Sequence, residues 1–211
     1  PLKDLSHLSA EECHTRRTLD AAIERELEST EGDLERSITN YVREATKTYL
    51  NRFVALKTIE VRDLVEETIT ERPEYSNRSY MHHTVAEIAC ELTTTPDDGF
   101  GAALDLAYQE SGAEIRMIFE ESEHTAIDLD AQVREEILEE LDAIDDEAWE
   151  SDEALGWVYQ YFGEEEREEI DERVDEENYK IAGTHIATKT QLFTPRYIVE
   201  WMVDNSLGRL W

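Results

Sequence analysis

The sequence is short of most of what builds disulfide-rich, β-rich or membrane proteins, and it is short of positive charge. Two cysteines, Cys13 and Cys90, in 211 residues are too few for a disulfide framework. Both fall in helix-like contexts, so buried or idle thiols are expected. Eight glycines, four prolines and few β-branched runs leave little to build sheets and tight turns from. No apolar stretch approaches the roughly 18 residues that a membrane span needs. Pro1-Leu2-Lys3-Asp4-Leu5 has neither the basic start nor the apolar run of a secretory signal, so a cytoplasmic protein without a membrane segment is expected. Lysine is scarce among the bases: Lys3, Lys47, Lys57, Lys180 and Lys189 are the only five of 20 basic residues.

Acid is what the chain has instead. Fifty-two aspartates and glutamates give a formal net charge of −32 and a pI near 4.3. Acid-rich, lysine-poor composition is what a salt-in halophile needs. In molar salt the Debye length falls to about 3 Å, so carboxylates stop repelling one another and keep the surface hydrated. The rival reading is an acidic mimic of DNA, which should concentrate its acid on one face and need not avoid lysine.

The pattern along the chain is helical almost throughout. Ser9-Ala10-Glu11-Glu12 has the form of a capping box and opens a helix to about Glu28, closed by a turn at Gly32. Leu34, Ile38, Tyr41, Ala45, Tyr49, Phe53 and Leu56 step by three or four, predicting one core-facing stripe on a helix from Leu34 to about Ile69. Arg72-Pro73-Glu74 should end it, and a shorter helical segment bearing Val85, Ile88, Ala89 and Leu92 follows to Thr93. Thr95 as N-cap with Pro96 at the first helical position predicts the next start, with Leu104, Ala107, Ile115 and Ile118 along it. From Glu120 to Glu177 there are 26 acids and three arginines. Val133, Ile137, Leu141 and Ile144, and then Leu155, Val158, Tyr159 and Phe162, still form stripes, so amphipathic helices are expected rather than a tail. Composition changes again near 178, where Ala182-Gly183-Thr184-His185-Ile186-Ala187-Thr188 reads as a linker. No internal repeat is visible.

Several apparent sites dissolve on inspection. Asp97-Asp98-Gly99-Phe100-Gly101 has the acid and Gly-x-Gly that hold S-adenosylmethionine in methyltransferases, but such a loop should follow a hydrophobic strand and this one follows Thr93-Thr94-Thr95-Pro96. His82, His83 and Cys90 lack a third and fourth ligand at suitable spacing, so no metal site is expected. No lysine has an acid two positions before it, which removes the common Glu-x-Lys nuclease ending. The carboxylates are too many for any one pair to be informative, and a solvated face accounts for them.

The last segment, Gly183 to Trp211, carries the resemblance. Gln191-Leu192-Phe193-Thr194-Pro195 looks like the Q-x-F/Y-T-P element that precedes the catalytic core in DNA amino-methyltransferases of the gamma arrangement. Followed by a short amphipathic helix and Asn205-Ser206-Leu207-Gly208-Arg209-Leu210-Trp211, it is similar to the PglX-type DNA adenine methyltransferases of BREX phage-defence systems. Asp152 to Phe162, containing Gly156-Trp157-Val158-Tyr159-Gln160-Tyr161, resembles that family's Gly-Trp-x-Tyr-Gln-Tyr segment. Asn51-Arg52-Phe53-Val54-Ala55-Leu56-Lys57 resembles its early helical motif, more weakly.

The resemblance implies a SAM-dependent adenine-N6 methyltransferase cut off before its catalytic motifs. The Asn/Asp-Pro-Pro-Tyr motif is absent, since the prolines are Pro1, Pro73, Pro96 and Pro195. The expected fold is all-α: a helical domain over 1–178, a linker over 179–190, and at 191–211 the start of an α/β Rossmann-like methyltransferase domain. Gln191, Phe193, Thr194 and Pro195 are the expected cofactor-binding residues. Thr194 as N-cap and Pro195 at the first helical position would start a helix bearing Ile198, Val199, Met202 and Val203, whose N-terminus suits the S-adenosylmethionine carboxylate. No catalytic residue is expected in the chain itself. DNA is the partner implied for the whole enzyme, with other phage-defence proteins also able to dock. Two alternatives stand beside this one: the acidic DNA-mimic or protein-binding module, and the N-terminal part of a restriction enzyme that shares the same methyltransferase core.

Overall fold

The computed structural model describes residues 7–177, 179–181, 183–190 and 192–209. Among them the regular structure is helical, with one isolated antiparallel bridge between Arg72 and Arg78. The chain divides into two compact units, Pro1–Ile144 and Asp145–Trp211.

The first unit is built on a helical hairpin of α1 (Ala10–Ser29) and α2 (Leu34–Val61). The Ser9 hydroxyl accepts from the Glu12 N–H while the Glu12 carboxylate accepts from the Ser9 N–H, so the capping box forms. Glu31 and Gly32 turn the chain with φ of 57° and 89°, and the buried Thr30 and Ser37 hydroxyls bond each other across the turn at 2.6 Å. The second half of α2 is buried on every side: Arg52, Phe53, Val54, Ala55, Leu56, Lys57, Thr58 and Glu60 are all inside. Thus the segment resembling the early helical motif is the centre of this unit's core. The stripe expected on α2 is only partly core, because Leu34 and Ile38 near its start are exposed.

The helix stops at Val61, eight residues before the expected end. Asp63 takes the left-handed conformation with φ 55°, and the Leu64 N–H closes back on the Ile59 carbonyl at 3.0 Å. The chain then returns alongside α2, where the buried Glu60 carboxylate accepts the N–H groups of Thr68, Ile69 and Thr70 at 2.7, 2.7 and 2.9 Å. Hydrophobic periodicity runs on through this stretch, but a buried carboxylate satisfies its backbone instead of a helix. A 3₁₀ turn at Pro73–Tyr75 leads to α3 (Tyr80–Ile88), and a second at Cys90–Thr94 precedes α4 (Phe100–Gly112). Here too the start differs from expectation. Thr95 and Pro96 lie in a turn, Gly99 occupies the N-cap position with φ 82°, and the Asp97 carboxylate accepts from the Gly101 N–H at 2.8 Å. The same helix does not continue through Ile115 and Ile118; a separate short helix, α5 (Arg116–Phe119), intervenes. Its carbonyls are held by buried Arg52, which donates to Ile118, Phe119 and Glu120 at 3.1, 3.1 and 2.6 Å. Finally α6 (Ala131–Asp142) brings Leu141 into the core.

The second unit contains α7 (Asp146–Glu150), α8 (Ala154–Phe162), α9 (Glu164–Glu177), α10 (Gly183–Thr190) and α11 (Arg196–Ser206). Within the stretch expected as a linker over 179–190, residues Gly183–Thr190 form α10, and the two compact units meet in the chain at 144/145. Lys189 of α10 pairs with Asp171 of α9, the Tyr179 hydroxyl meets His185 Nδ1 at 3.1 Å, and Arg173 covers the Tyr179 ring at 4.0 Å. These tethers are aromatic and ionic, which composition read as Gly, Thr and Ala conceals.

Candidate functional site

Two places gather functional side chains. One is a cleft of about 1220 Å³ within the first unit, between the start of α3, the turn before α4, and α6. Arg78 pairs with Asp98 at 2.6 Å, and His82 places Nε2 2.9 Å from the Asp98 carbonyl oxygen. Arg134 pairs with Asp97 and also covers the Phe100 ring at 5.7 Å. Burial works to raise the Asp97 pKa, but hydrogen bonds from Thr95, Gly101 and Gly99 and the charge of Arg134 outweigh it and hold the carboxyl at about 2. Opposite lies Glu71, whose pKa is raised by burial and by Asp142, Glu135 and Glu139. Both arginines are thus matched to carboxylates, while Glu71, Asp130, Glu135, Glu139 and Asp142 add further acid to the wall. Such a cleft repels phosphate and offers no nucleophile paired with a base.

This cleft is lined by part of each motif whose sequence context spoke against a site: His82 from one, and Asp97, Asp98 and Phe100 from the other. Asp97-Asp98-Gly99-Phe100-Gly101 is a helix entry, with Asp98 and Gly99 at φ 54° and 82°. His82 turns inward to Asp98, His83 stacks on Tyr75 at 5.0 Å, and Cys90 is exposed. Among the described residues no group of three or more His, Cys, Asp or Glu is placed to hold a metal ion.

The other place is the start of α11, in the second unit. Gln191 lies outside the described residues. Phe193 is half-buried and sits edge-on to Trp157 of α8, with ring centroids 5.5 Å apart. Its backbone N–H donates to Gln160 Oε1 at 3.2 Å. A Cβ built on Gly156 would overlap the Cγ, Cδ2 and Cε2 atoms of the Phe193 ring, so only glycine leaves the ring its seat. Three residues on, the Arg196 N–H donates to Glu153 Oε1 at 2.6 Å, and its guanidinium meets Asp152 at 3.5 Å and Glu200 at 2.8 Å.

Thr194 is exposed and is not the cap. Pro195 takes the N-cap position of α11 without a side-chain cap bond, and the first N–H of the helix is answered by Glu153, the N-cap residue of α8. Pro195 has no N–H to give and its fixed φ sets the helix entry, so a carboxylate from another helix replaces the threonine cap.

The site residues expected from the sequence thus lie together at the chain's turn into α11, apart from Gln191. The residues that seat them are Glu153, Gly156, Trp157 and Gln160. The available signal was Gly156, an unfavourable residue inside a nine-residue helix that needs a packing reason. As a receptacle for S-adenosylmethionine the arrangement offers one aromatic edge, an exposed hydroxyl and a helix N-terminus. The hollow beside it is about 320 Å³, bordered by Ser151, Asp152, Glu153, Arg196, Tyr197 and Glu200. It is an open depression and not an enclosure. No helix among the described residues is long and apolar enough to cross a membrane.

Known adenine-specific methyltransferases are similar to this chain. Over 71 residues it is 38% identical to the adenine-specific methyltransferase BrxX of Escherichia coli O9:H4 (strain HS), a match that covers 34% of this chain and 5% of BrxX. Over 204 residues it is 24% identical to the adenine-specific methyltransferase PglX of Lacticaseibacillus casei (strain Zhang), covering 83% of this chain and 16% of PglX. The chain therefore spans less than a fifth of either relative. No protein-family model matches it, and no solved structure does.

Proposed function

We propose that this chain is the N-terminal part of a BREX-type adenine-specific DNA methyltransferase. The long alignment to PglX carries this reading, since it covers 83% of the chain yet only 16% of the relative. The activity itself, transfer of a methyl group from S-adenosylmethionine to adenine N6 in DNA, would belong to the C-terminal remainder of such an enzyme. The first unit serves as scaffold and docking surface. Residues 191–211 begin the methyltransferase domain and contribute one wall of its cofactor pocket through Phe193, Thr194, Pro195 and Gln191. BREX or restriction-modification-like defence is the process, in the cytoplasm of a salt-adapted cell, and other defence proteins are its partners.

Exposure of α11 supports the reading. Tyr197, Trp201 and Leu207 are 71%, 66% and 65% exposed, and Val199, Met202 and Val203 are also open. An eleven-residue helix exposed this way is suited to cover by a further layer of structure.

Calorimetry with S-adenosylmethionine tests the proposal. A helix N-terminus facing a carboxylate contributes on the order of 0.3–2 kcal/mol, whereas micromolar affinity needs about 8 kcal/mol. The 211 residues alone should show no binding, and the longer protein should bind. In that longer protein Thr194→Ala should weaken cofactor affinity several-fold while leaving the melting temperature unchanged, because Thr194 caps nothing. Micromolar binding by the 211 residues would overturn the one-wall reading, and an unaltered affinity in the variant would remove Thr194 from the pocket.

A further inference from the structure

The two most specific family-like segments lie about thirty residues apart in sequence and against each other in the second unit. Residue 153, the N-cap of α8, and residues 156, 157 and 160 within it recur every three or four positions and so share one face. Each meets the chain at 193–196 differently. Gly156 leaves a notch that the Phe193 ring fills, and Trp157 walls it at 5.5 Å. Gln160 Oε1 accepts the Phe193 N–H at 3.2 Å, and Glu153 Oε1 accepts the Arg196 N–H at 2.6 Å. One side chain is thereby seated and two backbone amides are fixed, on either side of Thr194-Pro195.

We infer that this face of α8 is a receptor for residues 193–196. Glu153, Gly156, Trp157 and Gln160 are positioning residues that hold the entry of α11 in the conformation that binds the cofactor, without touching the cofactor themselves. The inference rests on the cofactor reading above for its consequence, but its geometry stands without it. Burial explains neither the glycine nor the glutamine: α8 contains no fully buried residue, and alanine would be the better helix former at 156. The backbone also excludes chance packing as the whole account. A loop held only by its aromatic side chain would leave its two N–H groups to solvent, yet both go to side-chain oxygens of one helix face.

Amide exchange at Phe193 and Arg196 in the 211-residue chain tests the receptor, and cofactor affinity in the longer protein tests its consequence. Losing one such hydrogen bond should speed exchange by up to about tenfold. Gln160→Ala should release the Phe193 amide alone, Gln160→Glu should restore its protection, and Glu153→Ala should release Arg196 alone. Gly156→Ala should release both while α8 keeps or gains helicity. In the longer protein Gly156→Ala should raise the KM for S-adenosylmethionine about tenfold and leave kcat at saturating cofactor nearly unchanged, the split expected of a positioning residue. Unaltered exchange in Gly156→Ala and Gln160→Ala would overturn the receptor. Released amides with an unaltered cofactor KM would overturn the positioning role. A wild-type longer protein that binds no S-adenosylmethionine would defeat the methyltransferase reading instead, and the exchange data would then decide the receptor by themselves.

Discussion

The two units differ in how far they withdraw their apolar side chains from water. In the first, Phe53, Val54, Ala55, Leu56, Ala103, Leu104, Ala107 and Phe119 are almost fully withdrawn from water. In the second, among the described residues, only Trp149 and Ile170 reach that state, and Tyr197 and Trp201 of α11 and Leu207 just past its end are exposed. A large apolar side chain kept in water forgoes about 1.5–3 kcal/mol of burial. The first unit has spent its hydrophobic residues on its own core. The second keeps large apolar side chains exposed on α11, a helix whose entry is nevertheless held in detail by residues 153–160.

The sharpest way to break this contrast is a pair of truncations. Phe53→Ala should destabilise the chain by about 3–5 kcal/mol in urea unfolding, because it empties a packed site. Trp201→Ala, removing a larger side chain from α11, should change stability by less than about 0.5 kcal/mol. Equal losses would mean that α11 is already covered.

Salt should also separate the units, less strongly. The sequence of α9 has ten acids in fourteen residues, with Glu164 and Glu168, Glu168 and Glu172, Asp171 and Asp175, and Glu172 and Glu176 four apart. Each like-charged pair costs about 0.2–0.5 kcal/mol in dilute buffer, together about 1–2 kcal/mol. Raising KCl from tens of millimolar to molar should therefore increase helical content and melting temperature, with amide protection in α9 rising more than in α2. Circular dichroism melts that stay flat or fall across that range would refute the salt-adapted reading.

A smaller effect tests the first unit at low pH. Asp97 titrates at about 2 in the folded chain against 3.8 as its ordinary value, so its contribution to stability is present above pH 3.8 and is lost as the pH falls through 2. With solvent screening allowed for, that contribution is about 1 kcal/mol. Asp97→Asn should cost this amount at pH 6 and almost nothing at pH 2 in urea titrations. A cost independent of pH would assign the role of Asp97 to shape rather than charge.

Periodicity made the helices legible, and capping chemistry the start of α1. It failed where a side chain from elsewhere replaces the local rule. Glu60 ends the helical pattern by taking three amides of the returning chain. Asp97 moves the start of α4 past Thr95-Pro96, and Glu153 supplies the α11 terminus that Thr194 was expected to cap. The helix at 183–190 was hidden because its tethers, Lys189 to Asp171 and His185 to Tyr179, depend on the path of the chain and not on local composition. Resemblance picked out Gly156 to Tyr161 and Gln191 to Pro195 as separate elements. That one seats the other required three-dimensional placement, with Gly156 as the sole local hint.

The most direct test is methyl transfer. The longer protein, incubated with S-adenosylmethionine and duplex DNA, should yield N6-methyladenine on nuclease digestion and mass spectrometry, and the 211 residues alone should yield none. A folded longer protein that binds S-adenosylmethionine and leaves adenine unmodified across varied DNA would contradict the account.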